Sequence, residues 1–111
     1  MSNLSDELIR AADLGREDFK DAGGMGLKLM EEVGEFAEAI NFAIGNLPHK
    51  KLKESPFGEA ADVIQCTVVL LTKAYPQMTT ERIIEELAKQ LAIKDDKYEK
   101  KVIEPLRATK K

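Results

Sequence analysis

The chain has 111 residues, a formal net charge of −3 and a single cysteine, Cys66. That length fits one domain with one core. The weakly acidic, mixed charge excludes the strongly basic footprint of a nucleic-acid binder, and one cysteine excludes an internal disulfide.

All the predicted elements are helical. The first helix runs from about Leu4 to Lys20, with Asn3 as N-cap and Asp6 and Glu7 in the first turn. The AGGMG stretch at residues 22–26 breaks it. A second helix starts near Met25 and runs to Ile44, carrying Leu29, Val33, Phe36, Ala37, Ile40 and Ile44 as its inward face. Gly45-Asn46 stops it, and Pro48 follows. Residues 46–56 form a polar, basic loop that holds the single histidine, His49, as a solvated side chain. A third helix spans about Phe57 to Ala74, and Tyr75-Pro76 ends it.

The longest apolar run, Val63 to Leu71, lies in this third helix, broken by Gln65 and Thr67. It falls far short of the roughly 20 residues that span a bilayer. Thr80 caps a fourth helix, which turns Ile83, Ile84, Leu87, Leu91 and Ile93 inward and reaches about Val102. Pro105 closes it, and residues 105–111 form a frayed tail. The expectation is an all-α, single-domain chain over residues 1–111, a small four-helix bundle. Its third helix is apolar on most sides, so it is expected to be buried against several helices or a partner subunit, and an oligomer is expected. The start, MSNLSDELIR, has no apolar signal segment. With an unpaired cysteine in an apolar setting, it points to a cytoplasmic protein with no membrane partner.

Two carboxylate pairs stand out: Glu32 and Glu35 in MEEVGEF, and Glu59 and Asp62 in GEAADV. Each has i, i+3 spacing, which places both acids on one helix face. At about 100° per residue, Glu31, Glu35 and Glu38 share a stripe, and Glu32 is offset toward the apolar side. Asp62 is a poor helix former followed at once by Val63 and Ile64. Like charges gathered from two helices repel unless a cation or protons lie between them. Carboxylates without cysteine or clustered histidine suit Mg²⁺, or Mn²⁺, better than zinc. Lys28, one turn before Glu31 and Glu32, is placed either to pair with an acid or to reach a phosphate.

LKLMEEVGEFAEAI followed by GEAADVIQCTVVLL resembles the MazG-like all-alpha nucleoside triphosphate pyrophosphohydrolases, whose signature is E-x-x-E, a variable loop and E-x-x-D. The resemblance covers about residues 25–75. It implies a helical enzyme, dimeric or tetrameric, that cleaves nucleoside triphosphates to the monophosphate and pyrophosphate. By position, Glu32, Glu35, Glu59 and Asp62 would hold Mg²⁺, and Glu31 or Glu35 would act as base on the attacking water. Lys94 and Lys97 would serve the phosphates together with Lys28. Tyr98 would support the base or pack on the bundle, and Phe19 would form part of a base pocket or of the core. The family's asparagine near the last helix has no counterpart in LAIKDDKYEKK. Two alternatives stand beside this reading: a phosphoribosyl-ATP pyrophosphohydrolase, and a non-catalytic helical dimerisation module.

Overall fold

The computed structural model describes residues 2–45 and 54–109, and all regular structure among them is helical. The expected positions of His49 and of most of the basic loop lie outside the described residues. Contacts group the chain into two units, residues 1–80 and 81–111. Among the described residues, no helix is long and apolar enough to cross a membrane.

In the first unit, α1 spans Leu4–Gly15. Asn3 caps it as expected: its Oδ1 accepts the Asp6 amide at 2.8 Å. The helix stops five residues before the expected Lys20. Its last carbonyls accept from the amides of Arg16, Glu17 and Asp18, and the Lys73 ammonium of another helix donates to the oxygens of Gly15 and Asp18 at 3.5 and 2.9 Å. A Cβ at Gly15 would come within 2.9 Å of both γ-methyls of Val69, so glycine lets α1 approach closely here.

The second helix, α2, spans Ala22–Ala43. The AGGMG stretch is therefore its first turn and not a break. Asp21 decides this, because its side chain accepts the Gly24 amide at 2.7 Å and caps the glycine-rich turn. The break falls instead at residues 16–21. At the other end Gly45 takes φ of +86°, the left-handed conformation that stops a helix.

The third helix, α3, spans Pro56–Ala74; Ser55 caps it and Pro56 occupies its first position. It packs on both α1 and α2. The core is built from α3, where Cys66, Val68 and Val69 are buried, and Met25 of α2 packs against Cys66 and Val69.

On α2 the buried positions are Met25, Glu32 and Ala39, with Leu29 and Phe36 half-buried between them. This face is rotated by roughly 70° from the expected one. Val33, Ile40 and Ile44 are exposed instead, as are Leu27 and Met30 of α2 and Phe57 and Ile64 of α3. The apolar stripe of α2 is wider than one contact with α3 covers.

Helix α4 spans Thr80–Tyr98, and its residues from Glu81 on form most of the second unit. Thr80 is its first residue and not the expected cap: its hydroxyl donates to Asp13 Oδ1 at 2.7 Å and accepts from Arg16 Nε at 3.1 Å. Ile83 is buried and Ile84 and Leu87 are half-buried, but Leu91 and Ile93 are exposed, against expectation. Positions 91 and 93 lie about 200° apart on a helix, so one face cannot bury both. The helix does not end near Val102. It passes through a π-helical turn, Glu99–Ile103, into α5, Glu104–Thr109. Pro105 thus follows the π-helical turn and does not close the helix as expected.

Candidate metal centre

The rotation of α2 has a direct consequence for the acids. Glu32 lies in the middle of the buried face, facing α3, and is 9 % exposed. Glu59, one turn into α3 from its Ser55 cap, is 6 % exposed. One carboxylate oxygen from each of Glu32, Glu59 and Asp62 can be chosen so that all three lie within 4.8 Å of one another. Two side-chain oxygens of these acids, Glu32 Oε2 and Glu59 Oε2, are buried with no hydrogen-bond partner. Buried carboxylate oxygens without partners are costly. Their convergence marks a place where a positive charge belongs.

The electrostatics follow from that geometry. Burial pushes the Glu32 carboxyl above its ordinary value, and the charges of Glu35 and Asp62 push it further; Lys28 opposes them. Burial also raises Glu59, followed by the charges of Glu35, Glu54, Asp62 and Glu32. The Lys28 ammonium stands 3.7 Å from Glu32 Oε1, an i, i+4 ion pair within α2. Burial likewise raises the Cys66 thiol, which sits in the core beside this cluster.

Chain comparisons are negative.

No family model, no curated protein and no solved structure matches this sequence. The site is therefore read on its own geometry. Three of the four acids singled out by spacing meet. Glu35 is exposed and outside the three-carboxylate group, yet its charge is felt at both buried glutamates. Glu31 is exposed, and Glu38 is half-buried. Phe19 is fully exposed in the α1–α2 connection, so it belongs to no core. Lys94, Lys97 and Tyr98 are exposed on the C-terminal part of α4, in the second unit.

One participant escaped the sequence reading. Glu54, in the connection before α3, makes a side-chain hydrogen bond to Asp62 that raises its carboxyl above the ordinary value. Helical spacing cannot find an acid in a loop; the Ser55-Pro56 start of α3 was the only local sign that Glu54 would sit close to Glu59 and Asp62.

Beside the cluster a cleft of about 180 Å³ opens between α1, α2 and α3, lined by Leu14, Met25, Lys28, Gln65, Cys66 and Val69 among others. Lys28 belongs both to this cleft and to the carboxylate cluster.

The donor set consists of oxygens alone, which fits a hard divalent cation such as Mg²⁺ or Mn²⁺. The two partnerless buried oxygens fit such an ion better than they fit a structural role, since no protein group satisfies them.

Proposed function

We propose that this chain is a Mg²⁺-dependent nucleoside triphosphate pyrophosphohydrolase, with Mn²⁺ as a substitute ion. The observation that carries this reading is the meeting of Glu32, Glu59 and Asp62 with two buried, partnerless oxygens. Glu32, Glu59 and Asp62 would hold the cation, with Glu35 at the open side. When bound, the ion supplies positive charge that draws a triphosphate to an otherwise repulsive acidic site and neutralises developing oxygen charge.

The remaining work falls to side chains. Glu35 is the better-placed base than Glu31, because its charge already reaches the buried acids. It takes the proton as the water oxygen attacks the α-phosphorus; the bond from that phosphorus to the bridging oxygen breaks, and pyrophosphate leaves. Such transfers need positioning and charge neutralisation more than covalent help. Lys28 contacts phosphate from the rim of the cleft, and the cleft admits the nucleoside. Phe19 remains a proposed contact from the α1–α2 connection.

The exposed apolar strip of α2 and α3 supports assembly into a homodimer or homotetramer. We place the protein in the cytoplasm, where a reduced, buried Cys66 is at home.

The test is direct measurement of pyrophosphate over a panel of canonical and modified nucleoside triphosphates and phosphoribosyl-ATP, with Mg²⁺ and with Mn²⁺. Metal-dependent release from nucleoside triphosphates is the expected result. Release from phosphoribosyl-ATP alone would transfer the assignment to that hydrolase. No release and no thermal shift with Mg²⁺ would leave a non-catalytic helical module.

A further inference from the structure

We propose that the cavity between the ends of α1 and α3 is a binding site for a phosphate group, held by the Arg16 guanidinium and the Lys73 ammonium. None of the clustered carboxylates lines it, and the inference does not rest on the function proposed above.

Three observations carry it. First, a cavity of about 290 Å³ is lined by Gly15, Arg16, Thr72, Lys73 and Pro76. That is at the lower edge of small-molecule sites, roughly 300–1,000 Å³, so it suits a small ligand. The lining holds two cations and no acid. The Thr72 hydroxyl donates to the Val69 carbonyl at 2.6 Å, which leaves recognition to the cations.

Second, uncharged acceptors hold both cations in place. Arg16 donates from Nε to the Thr80 hydroxyl at 3.1 Å and from Nη2 to the Met78 carbonyl at 2.7 Å. Lys73 donates to the carbonyls of Gly15 and Asp18 at 3.5 and 2.9 Å. Among the described residues neither cation forms an ion pair. Asp13 is linked to Arg16 through the Thr80 hydroxyl, not directly.

Third, donors remain. Arg16 keeps both hydrogens of Nη1 and one of Nη2, and Lys73 keeps one of its ammonium hydrogens. Two like charges beside one cavity repel each other until an anion lies between them. The guanidinium fork matches two oxygens of a phosphate, and the ammonium adds a point charge for a third. A phosphate also brings up to two negative charges, where a carboxylate brings one.

The test is titration of the full chain with inorganic phosphate and, separately, with a nucleoside monophosphate. EDTA is present, and chloride keeps the ionic strength constant. Gly15 also lines the cleft beside the acids, so the readout is the amide NMR shifts of Arg16, Thr72 and Lys73 against those of Lys28 and Cys66. Saturable shifts at the first three are expected, and the ligand that binds more tightly names the source of the phosphate group. Arg16→Gln and Lys73→Met should each weaken binding by about tenfold or more. Lys73→Arg should recover most of the affinity, and the distant control Lys89→Met should bind as wild type does. Thermal unfolding without phosphate checks that each variant is folded; the wild-type shifts decide the matter if one is not. Shifts that do not saturate, or that centre on Lys28 and Cys66, overturn the proposal. So do folded Arg16→Gln and Lys73→Met that bind phosphate as tightly as wild type. With metal removed by EDTA, these outcomes leave the carboxylate site standing.

Discussion

Lys28 and Glu32 are paired along one helix, Nζ to Oε1 at 3.7 Å, with the lysine half-exposed and the glutamate buried. The ammonium partly offsets the repulsion that Glu35 and Asp62 exert on Glu32. It also repels any cation entering the cluster. Lys28→Met should therefore raise Mn²⁺ affinity by roughly two- to fivefold and raise KM for a triphosphate. Titration without nucleotide and steady-state kinetics separate the two effects; weaker Mn²⁺ binding in this variant would contradict the role.

The pH dependence follows from Glu32 and Glu59. Both carboxyls are raised in the folded chain, so the folded state holds protons that the unfolded state has released. Stability without metal should then be fully present below the ordinary glutamate range and decline as pH rises through the raised values. In EDTA the unfolding midpoint should fall as pH rises above the ordinary glutamate range, and Mg²⁺ should restore more of it at the upper end. A midpoint in EDTA that climbs over that interval would reverse the sign.

Replacing one acid should separate stability from function. Glu59→Gln removes a buried charge that has no protein partner for Oε2. Its midpoint in EDTA should exceed that of wild type, while the Mg²⁺-induced shift disappears. Scanning calorimetry with and without the ion measures both.

Asp62→Asn and Glu35→Gln should keep the fold and lose activity by about a hundredfold or more. Circular dichroism together with direct pyrophosphate measurement decides; turnover retained in both variants would remove the proposed assignment.

The exposed strip Val33, Ile40 and Ile44 on α2 should bury itself in a second copy. Light scattering should report a dimer or tetramer at micromolar concentration, and Ile40→Lys should shift it to monomer.

Helix order, the Asn3 cap and the Gly45 stop were legible because they rest on local chemistry. Asn3 and Gly45 act where the sequence says they should. The AGGMG stretch misled because glycine is read as a breaker, whereas Asp21 supplies the cap that makes those residues a first turn. The meeting of Glu32, Glu59 and Asp62 was legible from spacing and burial. The rotation of α2 was not, because a stripe wide enough for two contacts does not say which one α3 takes. Glu54 lay beyond reach because a loop has no periodicity to place it.

The end of α1 has a further bearing on how the chain assembles. This helix has 12 residues, at the lower edge of the length that persists alone in water, about 12–15 residues. Its closing partners, Lys73 and Val69, come from the far half of α3, more than fifty positions along the chain. Helix α1 is thus closed off by a segment made much later than itself. Amide hydrogens of α1 should exchange together, and their protection should be lost whenever α3 detaches.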